Sequence, residues 1–152
     1  MNATTEPAST HPVRTLLLLR ATVVLGTICV LAQPVLAGGY LSGTFDFLGY
    51  HESNAHIISG LLVLQAAAGV AYLVAGRGSA IPLVFTVVQF AAVGLQTGMG
   101  YSRQLAVHIP LGVFIVLMSL HLCVWVFRPV ARLSRMDRKA QRKQETAHEP
   151  VA

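Results

Sequence analysis

Charge is scarce in this chain. Of 152 residues only 11% are Asp, Glu, Lys or Arg, against about 25% in soluble globular domains. With 54% hydrophobic residues and a mean hydropathy of +0.62, this excludes a disordered chain and argues against an ordinary soluble enzyme. Acidic residues are scarcer still. Of six, only Asp46 and Glu52 lie outside the terminal segments. No paired carboxylates, Ser/His/Asp set or phosphate loop is present, so the pattern gives no basis for hydrolytic chemistry. The two cysteines, Cys29 and Cys123, fall inside apolar stretches. Without a CxxC or a Cys/His cluster they indicate neither a zinc site nor thioredoxin-type chemistry. They read as small buried hydrophobes.

What is abundant is apolar residues in long blocks. Four blocks run at about 15–37, 55–75, 80–100 and 105–127. Each is long enough for a helix to cross ~30 Å of hydrocarbon, and none shows the ten-residue alternation of a barrel strand. Gly76-Arg77-Gly78-Ser79 and Tyr101–Gln104 are tight turns, which make the helices they join antiparallel neighbours. Residues 38–54 read as the longest loop. The fold class is therefore all-α, an integral membrane up-down four-helix bundle. A polar leader at 1–13 precedes it and a basic tail at 128–152 follows. The first block resembles a signal peptide ending in Val35-Leu36-Ala37-Gly38, but its span predicts a retained helix. Arg20, one turn inside it, can snorkel to the interface. Trp125 and Phe127 suit an interfacial aromatic belt.

Seven of the eleven Lys and Arg residues lie in the tail: Arg128, Arg132, Arg135, Arg138, Lys139, Arg142 and Lys143. No aromatic residue is interleaved, so the run reads as an anchor beside anionic lipid, with no nucleic-acid partner. With both termini inside, ten basic residues face inward and only Arg103 outward. That bias predicts a multi-pass membrane protein with cytoplasmic N- and C-termini.

The two halves resemble each other. Gln33…Gly39-Tyr40 precedes His56-Ile57-Ile58-Ser59-Gly60, and Gln96…Gly100-Tyr101 precedes His108-Ile109-Pro110-Leu111-Gly112. This predicts a parallel duplication of a two-helix unit about an axis normal to the membrane. It also matches block one to block three. The repeat places His56 and His108 at equivalent depth, where they can face across the core. Gly60 and Gly112 lie one turn further on the same faces and leave room for a flat ligand. Two facing imidazoles suit a six-coordinate haem iron; the bland alternative is a pair of interfacial histidines bonded to loop carbonyls.

His51 has two readings, solvation or a bond to a haem propionate. Gln33 and Gln96 lie near the same level and can bond a cofactor edge. His121 is ~20 Å below His108 and rotated ~140° from it, so it reads as a packed histidine. Gln65 and Gln89 read as interhelical hydrogen-bonding groups. Gly94 and Gly98, and Gly69 with its neighbouring alanines, read as close helix contacts.

Together these residues carry a resemblance. Gln…Gly-Tyr, His56-x-x-x-Gly60, Gln89-Phe-Ala-Ala-Val-Gly94 and His108 opening the fourth helix resemble an uncharacterised family of small four-helix bacterial membrane proteins. They are also similar to one half of haem A synthase, a duplicated four-helix haem protein. The resemblance covers about residues 21–127 and implies haem b held by His56 and His108 near the outer face. This chain has one half-unit rather than two, and no acidic catalytic residue of its outer loop aligns securely with the synthase, Glu52 being a candidate. Synthase activity is therefore not carried over.

The expectation is a b-type haem protein for electron transfer or haem handling. Its partners would be the lipid bilayer and a quinone, a redox subunit or a second copy. The alternative is a cofactor-free scaffold or accessory subunit. A transporter is disfavoured, because no helix is visibly broken at mid-membrane.

Overall fold

The computed structural model describes residues 13–147. The polar leader therefore falls outside the described residues except for Val13, as do His11 and His148. Four long helices follow one another: α1 (Val13–Leu41), α2 (Asp46–Val74), α3 (Ile81–Tyr101) and α4 (Leu105–Phe127). A 3₁₀ turn, Pro129–Arg132, leads to α5 (Arg135–Ala147). α1 packs on α2 and α4, and α3 packs on α2 and α4. The bundle is thus a ring, with α1 and α3 on one diagonal and α2 and α4 on the other.

The expected loop at 38–54 is largely helix. α1 runs on through Leu41 and α2 begins at Asp46. Hydropathy marks where a helix meets polar residues, not where it ends. Asp46 lies in the first turn of α2, where a carboxylate complements the positive end of the helix dipole. The 29 residues of α1 and of α2 give lengths near 43 Å, so both overhang a ~30 Å hydrocarbon slab. Gly39 lets the hairpin close, because a Cβ there would fall inside the Phe47 ring.

Each long helix is apolar on its outward face as well. Leu17, Leu25, Ile28, Val63, Val87, Leu117 and Val124 are all exposed. Four such helices, each long and apolar enough to cross a membrane, make this a multi-pass membrane protein.

The interior is layered. Leu16, Leu19, Tyr72, Leu122, Trp125, Val126 and Ala131 form an apolar cluster at the end carrying the basic tail. Val30, Ile58, Leu62, Val93 and Ile115 form a second towards the other end. Trp125 is buried in the first cluster rather than placed in an aromatic belt, because it shares a helix face with Met118 and Leu122. Phe127 is exposed, and the Arg20 guanidinium lies 5.0 Å from its ring centroid. Arg20 also donates to Val126 O at 2.9 Å, which ties α1 to the end of α4. Cys29 and Cys123 are half-buried and free.

The tail is not a loose extension. Ser134 and Asp137 cap α5 reciprocally: Asp137 N donates to Ser134 Oγ at 3.2 Å and Ser134 N to Asp137 Oδ2 at 3.1 Å. Arg135 donates its backbone N–H to Arg77 O at 2.9 Å and its guanidinium to Leu73 O at 2.8 Å. These bonds hold the start of α5 against the α2–α3 turn, meeting one carbonyl in the last turn of α2 and one in the turn itself.

Candidate functional site

At the end of the bundle opposite the tail, two histidines meet across a diagonal. His51 on α2 and His108 on α4 have ring centroids 6.2 Å apart and planes inclined by 51°. Each ring is tied to a neighbouring helix. His51 Nδ1 lies 3.2 Å from Gln33 O on α1, and His108 Nδ1 lies 2.9 Å from Gln96 O on α3. A carbonyl oxygen can only accept, so both Nδ1 atoms carry the proton. Both Nε2 lone pairs are then left for something else.

The pairing expected from the sequence, His56 with His108, is not the one that forms. His56 is exposed. Because α2 starts at Asp46, His51 is itself helical, and five residues rotate His56 ~140° away from it. The buried side of α2 runs through Ile58, Gln65 and Tyr72, spaced by seven, and His51 lies on that row. His108 extends the row of Ile115 and Leu122 on α4. Gln96 extends that of Pro82 and Gln89 on α3. In both halves, then, a histidine near the start of the second helix binds the backbone of a glutamine late in the first. His51, not His56, is the counterpart of His108.

The glycines divide in the same way. Gly60 shares the outward face of His56, with open space where a Cβ would stand. Gly112 shares the inward face of His108, and a Cβ there would come 3.0 Å from Gln96 Nε2. Gly100, which the sequence reading used only to align the repeat, lets the His108 ring lie on α3: its Cβ would be 3.0 Å from His108 Cε1.

Gln33 and Gln96 also share a deficiency. Oε1 of each is buried and finds no donor among the described residues. A buried carbonyl left unmet costs about 1–3 kcal/mol, so both oxygens are open to a hydrogen-bond donor such as water. On the rim, Tyr101 OH donates to Glu52 Oε1, joining α3 to α2 beside the histidines.

The remaining polar groups lie elsewhere. Gln65 binds Thr86 at 2.8 Å and Gln89 binds Ser119 at 2.6 Å, both between helices as expected. His121 is exposed and stacks on Phe85 with centroids 5.3 Å apart. Gly69 lies against Leu83 of α3 as a close helix contact. Gly94 and Gly98 do not: both face outward with nothing within 4 Å, because the buried row of α3 passes through Gln89 and Val93.

Among the described residues no three His, Cys, Asp or Glu come together as a metal-ion site. A porphyrin iron is different, because it asks the protein for axial ligands only. Metal–imidazole bonds of about 2.0–2.1 Å put two opposed rings with centroids roughly 6 Å apart. The His51–His108 centroids, 6.2 Å apart, are at a separation of that order, and the Nδ1–H bonds leave each Nε2 lone pair uncommitted. No protein-family model, curated protein or solved structure matches the chain.

Proposed function

We propose that this chain is a small b-type haem protein of the bacterial plasma membrane, in which His51 and His108 would hold the haem iron. Its role would be electron transfer or haem handling at the outer face. The matched anchoring of the two rings carries the reading. Each Nδ1–H is held by a glutamine carbonyl at 3.2 or 2.9 Å, which fixes tautomer and orientation and leaves both Nε2 atoms free. Haem bound there would supply a one-electron couple.

The chain's own residues orient the imidazoles and keep water out. The apolar cluster of Val30, Ile58, Val93 and Ile115 supports that exclusion from below. Gly100 and Gly112 make room for His108 and Gln96. The excess of basic residues at the opposite end favours an outward-facing histidine end. From one end of the bundle an electron needs an onward route through a quinone, a partner subunit or a second copy.

The test is a reduced-minus-oxidised visible spectrum of the purified protein expressed with haem supply. A low-spin α-band is expected, lost in His51→Ala and His108→Ala and kept in His56→Ala. A flat spectrum would overturn the reading. It would leave the histidines as stitches of a scaffold subunit, since each already ties two helices together.

A further inference from the structure

Gln65 and Gln89 form a polar layer with fixed hydrogen-bond directions. Thr86 Oγ1 gives its only proton to Pro82 O at 2.8 Å, so it can only accept from Gln65 Nε2. Ser119 Oγ gives its proton to Ile115 O at 2.9 Å and accepts from Gln89 Nε2. Each amide therefore spends an N–H on a hydroxyl and turns its Oε1 the other way.

Both glutamines, 3% and 4% exposed, line a cavity of about 10 Å³ together with Gly26, Thr27, Ser119 and Leu122. Thr27 Oγ1 has committed its proton to Val23 O at 2.8 Å and adds a lone pair. The absence of a side chain at Gly26 keeps the space open, since a Cβ there would stand 3.5 Å from Gln65 Oε1. The walls thus offer acceptors to whatever enters.

We propose that this cavity is a binding site for one water molecule, which donates its two protons to Gln65 Oε1 and Gln89 Oε1. The volume is about that of a single water, and a buried water needs two to four polar partners, which these walls supply. Meeting two buried carbonyls outweighs the small entropic cost of holding one water. A bare cation satisfies the same acceptors, but no carboxylate lines the cavity and an unbalanced charge so deep is costly. The neutral donor is therefore favoured. The inference stands apart from the haem reading, because the cavity includes neither His51 nor His108.

The experiment is NMR on the full chain in detergent micelles. Cross-relaxation between water and the side-chain amide protons of Gln65 and Gln89 is expected, unchanged when Na⁺ or Li⁺ replaces choline. In Gly26→Ser the new hydroxyl takes the place of the water, and the signals vanish while the helical spectrum persists. Three results would overturn the proposal: both amides observed without water contact, amide shifts that follow Na⁺ or Li⁺, or contacts that persist unchanged in a folded Gly26→Ser protein. If Gly26→Ser does not fold, the wild-type spectra decide.

Discussion

Gly100 and His108 touch so closely that a methyl group on the glycine would lie 3.0 Å from the imidazole Cε1 and 3.3 Å from Nδ1. The ring reaches Gln96 O only because α3 is bare at this point. Gly100→Ala should push the ring off that carbonyl and destabilise the bundle by about 1–3 kcal/mol, the usual cost of overpacking. Gly60→Ala, in open space, should be near neutral. Unfolding of the two variants in mixed micelles checks the pair. Equal stabilities would contradict the close contact.

A second prediction concerns the tail. Tyr72 is fully buried, donates to Ala131 O at 2.8 Å and accepts from Arg138 Nη2 at 3.3 Å. Tyr72→Phe removes both bonds and leaves Ala131 O without its donor, at a cost on the order of 1–3 kcal/mol. Because the tail then loses one of its ties to the bundle, trypsin should cut after Arg132 and Arg135 several-fold faster than in the wild type. An unaltered digestion rate would show that the hydroxyl does not secure the tail.

The polar layer allows a test of asymmetry. Ser119→Ala strands the buried Gln89 N–H, whereas Gln89→Leu with Ser119→Ala removes both partners. The single change should cost about 1 kcal/mol or more, and the double change less than the sum of the two singles. A double-mutant cycle in micelles measures the coupling, and additivity would mean that the bond contributes nothing.

Cooperation between the two histidines is a fourth prediction. If both hold one metal centre, His51→Ala and His108→Ala should abolish the haem signal to the same extent, and the double variant should add nothing further. His56→Ala should match the wild type in haem content and in thermal stability, because that ring is exposed and off the buried row. Haem titration by pyridine haemochrome across the wild type and the four variants reads this directly.

The bundle was legible because lipid demands long apolar helices, and no fold chemistry beyond length was needed to find them. The α3 and α4 boundaries lie within a residue of those expected, since tight turns abut both. The start of α2 was misplaced by nine residues, from Ala55 to Asp46, because Tyr50, His51, Glu52 and Asn54 are polar yet compatible with a helix that overhangs the slab. That one boundary decided the site. Once residues 46–54 are helical, the seven-residue row His51, Ile58, Gln65, Tyr72 is visible in the letters alone, and it selects His51 over His56. The roles of Gly100 and the tail contacts of Arg135 were not legible. They depend on how closely helices approach, which spacing does not encode. The outward turn of Gly94 and Gly98 was hidden for the same reason.

The amides of Gln65 and Gln89 have a consequence for what this interior will tolerate. Each commits one amide N–H to a neighbouring hydroxyl that can only accept, which leaves its carbonyl oxygen as the acceptor offered to the middle of the bundle. Such a lining discriminates by chemical function rather than by size. It favours a small hydroxyl donor, which can give its proton to an Oε1, over an alkane of the same volume, so hydrocarbon tails are chemically mismatched to it even where packing loosens.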